Sequence, residues 1–295
     1  MYIAIRDSVL LEVFPNVVEG AKYLNINHIE FRLNNNFSVA NLESDGEMLL
    51  ETDEQILLYK EECQKQNLIV SALLTEFDLS MASFEKSVEW FKKAVHIAEA
   101  LEAKVIRIDS MVQQEHLYTF GKKVELYTNV FSEVIAETDD TEIEFGLENH
   151  GREGNNPIFL WAVVKNIDSP RFGLTLDFGN FYWRGYPLSE TETILKLLAP
   201  YTKHTHIKNI AYPKTAQEIY REVGWEYDTY VCPIFQGDIN IESVLIELKN
   251  ADYNNVLCIE DESLHHYSDP EKKKEILQKD TEFLIEIMND IQFDN

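Results

Sequence analysis

The chain has 295 residues, of which 45% are hydrophobic and 12% aromatic, and its formal net charge is −26. This composition is typical of a packed globular protein, and the length suits one large α/β barrel. The acidic field repels nucleic-acid phosphates, and the basic run Lys272–Lys274 is flanked by glutamates, so no nucleic-acid partner is expected.

The cysteines and the hydropathy pattern predict a cytoplasmic protein. The three cysteines, Cys63, Cys232 and Cys258, contain no C-x-x-C pair, which argues against a disulfide framework and against a thiolate zinc site. The amino terminus lacks a basic region followed by an apolar run, and no stretch approaches the roughly 18 apolar residues of a membrane span. No membrane partner is therefore expected.

Short apolar runs alternate with longer stretches of helical periodicity, which is typical of repeated βα units on a parallel sheet. Asn156-Pro157, Asp269-Pro270 and the capping box Ser189–Glu192 mark helix starts. Eight strands are predicted, near Tyr2–Arg6, His28–Leu33, Leu68–Leu74, Lys104–Asp109, Glu142–Asn149, Phe172–Asp177, Lys203–Lys208 and Asn255–Glu260. The pattern predicts the α/β class and a (β/α)8 TIM barrel, with eight parallel strands inside a ring of helices.

Residues 1–295 are expected to form a single TIM-barrel domain, because no Gly/Ser-rich linker or abrupt change of composition divides the chain. The long irregular segment 210–237 lies between the seventh and eighth predicted strands. Loops of this length in compact domains are usually functional, so we expect it to lie over the barrel mouth. The sequence leaves open whether the protein is a homo-oligomer.

Four polar residues occupy equivalent ends of four successive strands, namely Glu148, Asp177, His206 and Glu260. Glu148, Asp177 and His206 follow one another at intervals of 29 residues, and His206 is 54 residues from Glu260 because the long loop lies between them. Side chains at the carboxyl ends of barrel strands converge, and buried charges need a compensating partner. A ring of carboxylate and imidazole donors without a thiolate suits a divalent metal ion such as Mn²⁺, Mg²⁺, Co²⁺ or Zn²⁺.

Several motifs resemble those of the xylose isomerase-like TIM-barrel superfamily of sugar and sugar-phosphate isomerases and epimerases. The resemblance follows the chain in order and is carried by GLENHG (Gly146–Gly151), LTLDFGN (Leu174–Asn180), HTHIKN (His204–Asn209), FQGDINIESVLIEL (Phe235–Leu248) and CIEDE (Cys258–Glu262). It implies a divalent metal ion bound by Glu148, Asp177, His206 and Glu260.

The same resemblance implies that Lys208, in the family's H-x-K pattern, and His150 contact the substrate or the shell around the metal. Asn180 stands where many relatives have a histidine, and Gln236 where a glutamate is frequent. The sugar 3-epimerases carry an arginine shortly after the ligand histidine, which this chain lacks. These departures leave the substrate open, and Asn180 and Glu30 are predicted to contact it.

Arginines near strand ends provide candidate phosphate ligands, because a guanidinium donates two parallel hydrogen bonds to such oxygens. Arg184 is the one assigned to substrate binding. Arg32 and Arg107 have an equally good second interpretation, in which they neutralise Glu30 and Asp109. The full candidate set is Arg6, Arg32, Arg107, Arg152 and Arg184.

The predicted activity is metal-dependent isomerisation or epimerisation of a small carbohydrate, either a sugar or a sugar phosphate. Glu148 and Glu260 are the predicted acid/base pair, each contacting the metal through one oxygen and the substrate through the other. The metal would stabilise the enediolate that forms when a proton leaves the carbon next to the carbonyl.

Three alternatives stay open on the same barrel. The first is an inosose-type dehydratase, which also removes an α-proton but expels a hydroxyl group. The second is a barrel that binds sugar without turnover. The third is an abasic-site endonuclease, which the net charge disfavours and which would need further ligands from the set His28, Glu30, His116, Glu144 and His204.

Overall fold

Eight parallel strands close into a barrel in the computed structural model, which describes residues 1–110, 113 and 115–293. Each strand pairs with the strands before and after it in the chain, and the first pairs with the last. The strands are β1 (Tyr2–Arg6), β2 (His28–Leu33), β3 (Ile69–Thr75), β4 (Val105–Ile108), β5 (Glu144–Glu148), β6 (Phe172–Asp177), β7 (Thr202–Ile207) and β8 (Val256–Ile259). The predicted TIM barrel is confirmed. Positions 111, 112, 114, 294 and 295 of the predicted domain lie outside the described residues.

Helices surround the barrel and cover the outward face of the strands. In β2, for example, Ile29, Phe31 and Leu33 point outward and are almost completely buried. Within the described part of the chain, the helices are too short or too polar to cross a bilayer. The α-helices span Asp7–Val13, Val17–Leu24, Asp53–Lys65, Phe84–Ala100, Phe120–Glu137, Gly151–Gly154, Pro157–Ile167, Asn180–Arg184, Leu188–Leu198, Lys214–Gln217, Tyr227–Tyr230, Ile241–Asn250 and Pro270–Phe293.

Two of the three predicted helix starts are confirmed. The Asn156 side chain accepts a hydrogen bond from the Ile158 N–H ahead of the helix that begins at Pro157, and Asp269 accepts one from the Glu271 N–H. The capping box at Ser189 is wrong, since that helix begins at Leu188. The Ser189 hydroxyl instead donates to Glu218 in the long segment, at 2.7 Å, so a tertiary contact replaces the local cap.

A glycine on β5 allows close packing inside the barrel. A Cβ atom on Gly146 would lie 2.4 Å from Oγ1 of Thr175 on β6. The Thr175 hydroxyl occupies that space and donates to the Gly146 carbonyl at 3.0 Å. Because β5 and β6 approach closely, Glu148 at the end of β5 lies near Asp177 at the end of β6.

The segment after β7 is an ordered insertion rather than an irregular loop. Residues Asn209–Ile210 and Val231–Cys232 pair as a short antiparallel ribbon at its base. Asp238 anchors it by accepting hydrogen bonds from the Tyr182 hydroxyl at 3.0 Å and the Tyr212 N–H at 2.8 Å. The Arg221 guanidinium lies over the rings of the same two tyrosines, 4.4 Å from each centroid.

Candidate metal centre

Four strand ends bring the predicted ligands together at the carboxyl end of the barrel. Glu148 ends β5, Asp177 ends β6, His206 lies near the end of β7, and Glu260 directly follows β8. Each side chain offers one donor atom, and these atoms all lie within 4.8 Å of one another. All four residues are buried. The four residues that are regularly spaced along the chain therefore converge in space.

The unpaired atoms in this cluster fit a small cation. Nδ1 of His206 lies 3.0 Å from Oε1 of Glu148 and 3.4 Å from Oε2 of Glu260. Among the described residues, Asp177 Oδ2 and Glu260 Oε2 are buried side-chain oxygens with no hydrogen-bond partner, and the Lys208 ammonium is 3.2 Å from each. Buried carboxylate lone pairs that accept no hydrogen bond are costly, and a metal ion at this point would coordinate them. Three carboxylate oxygens and one imidazole nitrogen are the donors that Mn²⁺, Mg²⁺, Co²⁺ and Zn²⁺ accept.

Asp177 is oriented by the turn that follows its strand. Its Oδ1 accepts hydrogen bonds from the backbone N–H groups of Gly179 and Asn180, each at 2.8 Å. Its own N–H donates to the Asn149 side chain at 2.7 Å. These contacts leave Oδ2 turned toward the other donors. Burial raises the pKa of Asp177 to about 6 despite the nearby Lys208 ammonium.

Each predicted base is also held by an arginine. The Arg107 guanidinium contacts Oε2 of Glu148, and Arg6 contacts Oε1 of Glu260. Burial alone would raise the pKa of Glu148, but Arg107 and His206 hold it well below its usual range. One oxygen of each glutamate thus faces the cation position while the other is bound to a guanidinium. The second oxygen, which the sequence predicts to contact the substrate, is therefore also an acceptor for a guanidinium.

The predicted pairing of Arg107 with Asp109 is confirmed, the predicted pairing of Arg32 with Glu30 is wrong, and Arg6 and Arg107 have further partners that the sequence did not identify. Arg107 binds Glu148 and lies 3.6 Å from Asp109, so its neutralising partner is chiefly the metal-site glutamate. Arg32 contacts Glu76 instead of Glu30. Arg6, considered only as a phosphate ligand, contacts Glu260 and lies 3.7 Å from Glu30. The inward-facing positions of Arg6 and Arg107 were the only sequence signal for these roles.

Lys208 joins the cluster from just beyond β7. Its ammonium nitrogen lies 3.2 Å from Asp177 Oδ2, 3.2 Å from Glu260 Oε2 and 2.7 Å from Glu262 Oε1. Burial opposes the charge, but Asp177 and Glu262 outweigh it and raise the pKa of Lys208 above its ordinary value. Glu262 also accepts a hydrogen bond from the Tyr227 hydroxyl, which connects the 210–237 segment to the site.

The other predicted substrate contacts lie at different depths. Asn180 is buried, with its amide nitrogen 3.5 Å from Glu148 Oε1. His150 is at the rim, with 38% of its side chain exposed and Nδ1 3.0 Å from Asp109. Arg184 donates to the Arg152 carbonyl at 3.1 Å. Glu30 is completely buried and contacts two imidazoles, those of His204 and His206.

A second group of donors lies deeper in the barrel. Glu30, His204, His206 and Cys258 also place one donor atom each within 4.8 Å of one another, and His206 belongs to both groups. Of the further ligands that an endonuclease would need, Glu144 lies at the start of β5 and forms an ion pair with Lys203 at 2.6 Å. Glu144 therefore lies outside the carboxyl-end cluster.

This chain is similar to known proteins in sequence and in fold. An uncharacterized protein of Methanocaldococcus jannaschii is 27% identical over 224 residues, which cover 72% of this chain and 69% of that protein. A solved structure described as the IolI protein with a bound zinc atom has a TM-score of 0.71 at 16% identity, covering 99% of both chains. A structure of L-ribulose 3-epimerase has a TM-score of 0.68 at 13% identity, covering 99% of this chain and 96% of its own.

At these identities the two solved structures show the fold alone. The family is shown by a sequence model described as the xylose isomerase-like TIM barrel, which matches residues 21–287. That range contains all four strand-end donors. The chain therefore belongs to the xylose isomerase-like TIM-barrel family.

Proposed function

We propose that this protein is a divalent-metal-dependent isomerase or epimerase that acts on a sugar or sugar phosphate. The observation that carries the proposal is the convergence of Glu148 and Glu260, two buried carboxylates from strands on different sides of the cluster, on one point shared with Asp177 and His206. Similarity to an epimerase and to a zinc-containing protein of the same fold supports the choice of chemistry.

Glu148, Asp177, His206 and Glu260 would hold the metal ion. When bound, the ion stabilises negative charge on the substrate oxygens as a proton leaves the neighbouring carbon. A bound ion would also coordinate the oxygens of Asp177 and Glu260 that make no hydrogen bond and whose charge Lys208 partly balances. The donor set accepts Mn²⁺, Mg²⁺, Co²⁺ or Zn²⁺.

Glu148 and Glu260 would transfer the proton, one on each face of the sugar. A guanidinium contact lowers the basicity of the glutamate it binds, so proton transfer is favoured when Arg6 or Arg107 moves away from its glutamate as the substrate binds. The released guanidinium is then available to a substrate oxygen. Lys208, between Asp177 and Glu260, is placed to bind a hydroxyl or carbonyl oxygen of the same substrate.

Exchange of the substrate α-proton with solvent deuterium tests this proposal directly. Metal-loaded protein is incubated with a panel of sugars and sugar phosphates in D2O, and exchange is followed by NMR. Replacing a general acid or base commonly lowers the rate by about 10²–10⁴-fold, so Glu148→Gln and Glu260→Gln should nearly abolish exchange. Glu144→Gln is the matched control, because Glu144 lies on the same strand as Glu148 but pairs with Lys203.

The outcomes separate the remaining candidates. Full exchange in both single variants would contradict the assignment of the two glutamates. Loss of water with formation of a diketone from a cyclic polyol ketone would assign the dehydratase chemistry instead. Saturable sugar binding without exchange in the wild-type protein would show a binding barrel.

A further inference from the structure

The buried carboxylate of Glu30 extends across the barrel interior and contacts His206, the predicted histidine ligand, on the side away from the other donors. Glu30 is on β2, whereas His204 and His206 are on β7, and β1 and β8 separate these strands in the barrel. All three side chains are completely buried. The interior of a TIM barrel is usually filled by branched apolar residues, so a glutamate and two histidines at this depth need a specific explanation.

The two nitrogens of His206 face opposite partners. Nε2 lies 2.9 Å from Oε1 and 3.1 Å from Oε2 of Glu30. Nδ1 lies 3.0 Å from Oε1 of Glu148, on the side where the cation donors converge. An imidazole that binds a metal through one nitrogen carries its proton on the other, and that proton needs an acceptor. Glu30 is the acceptor at the required distance.

His204 holds Glu30 in turn. Its Nε2 contacts Oε2 of Glu30, so both carboxylate oxygens are shared between the two imidazoles. The position of Glu30 is therefore set by a side chain that is not among the four strand-end donors.

We propose that Glu30 is a positioning residue, which accepts the Nε2–H of His206 and so directs the Nδ1 lone pair to the metal ion, with His204 holding Glu30 in place. This role rests on the proposed metal site, and it replaces the substrate contact predicted for Glu30 from the sequence. This positioning role explains why Glu30 and His204 are buried in the barrel next to the metal ligands.

A competing role for the same residues is a second metal site, because Glu30, His204, His206 and Cys258 lie close enough to share an ion. The two roles predict different behaviour. Positioning predicts one ion per chain and no dependence on Cys258. A second site predicts two ions per chain, one of which depends on Cys258.

Calorimetric titration of metal-free protein with Mn²⁺ and with Zn²⁺ distinguishes these roles. Loss of such an outer partner typically weakens metal binding about 10–100-fold, which is the expected result for Glu30→Gln with one ion still bound. His204→Gln should weaken binding less, because it acts through Glu30. Cys258→Ala, a change in the same layer of the barrel, should leave affinity and stoichiometry unchanged. Circular dichroism establishes that each variant is folded.

Nitrogen-15 spectra of histidine-labelled, Zn²⁺-loaded protein provide a readout that a purely structural role would not change. The His206 Nε2–H should be protected from solvent exchange in the wild-type protein and should exchange faster in Glu30→Gln. Unchanged affinity and unchanged exchange in that variant would overturn the inference. Two bound ions, one of them lost in Cys258→Ala, would overturn it as well.

If the wild-type protein binds none of the candidate cations, the proposed function fails together with this inference. A Glu30→Gln variant that binds the metal like wild type contradicts only the inference.

Discussion

Glu144 and Glu148 are the same residue type on the same face of the same strand, yet they lie at opposite ends of the barrel. Glu144 is 31% exposed and forms a single ion pair with Lys203. Glu148 is buried between Arg107, His206 and the other donors. The two glutamates differ in the number of side chains that converge on them from other strands, and this number distinguishes the surface ion pair from the candidate metal ligand.

Removing the cationic side chain beside each glutamate should have very different effects at the two ends of the strand. Leaving a buried charge without its partner costs about 3–5 kcal/mol, so Arg107→Met should lower the free energy of unfolding of the metal-free protein by about that amount. Lys203→Met removes a partly exposed pair and should cost about 1 kcal/mol or less. Urea unfolding measures both. Equal losses in the two variants would contradict the distinction between the two ends.

Metal binding should stabilise the folded protein only when the four donors at the carboxyl end of the barrel are intact. A ligand that binds the folded state alone adds about 2.7 kcal/mol at a free concentration 100 times its Kd. Thermal unfolding with and without Mn²⁺ or Zn²⁺ should show this gain in the wild-type protein and lose most of it in Asp177→Asn. Asp168→Asn is the control, because Asp168 is exposed and caps a helix in the left-handed region that asparagine tolerates. An equal gain in both variants would place the ion elsewhere.

Asp7 is a buried carboxylate like Glu148, but its hydrogen-bond donors are backbone N–H groups instead of a guanidinium. Its oxygens accept hydrogen bonds from the backbone N–H groups of Ser8 and Arg32, at 2.7 and 3.0 Å. Burial raises the pKa of Asp7 to about 6 from 3.8, whereas the pKa of Glu148 is lowered by its arginine. The Coulombic effect of the neighbouring Arg6 is not large enough to offset the burial of Asp7.

The raised pKa predicts a particular pH dependence of stability. The folded state binds this proton more tightly than the unfolded chain, so the contribution of Asp7 to the free energy of unfolding is lost as the pH rises through about 6. Between pH 4.5 and pH 7.5 the loss should be about 2 kcal/mol. Asp7→Asn should therefore compare more favourably with wild type at pH 7.5 than at pH 4.5 in urea unfolding. A difference between the two proteins that does not change with pH would contradict the assignment.

Local and periodic features were predictable from the sequence. The starts at Asn156-Pro157 and Asp269-Pro270 depend only on neighbouring residues, and both are confirmed. The start at Ser189 is wrong because Glu218, which is distant in the chain, binds that hydroxyl. The ribbon and short helices of the long segment are held by contacts that no local pattern shows, since Asp238 and Arg221 both contact Tyr182 outside the segment and Tyr212 within it.

The barrel and the set of four converging donors could be predicted from the sequence. Strand periodicity and the regular spacing of Glu148, Asp177 and His206 are properties of consecutive βα units, so they can be counted along the chain. The partners of those donors could not be predicted, because they come from distant strands. Arg107 meets Glu148 across 41 positions, and Glu30 meets His206 across 176. Barrel closure brings such residues together in a buried interior, where an unpaired charge is too costly to remain without a partner.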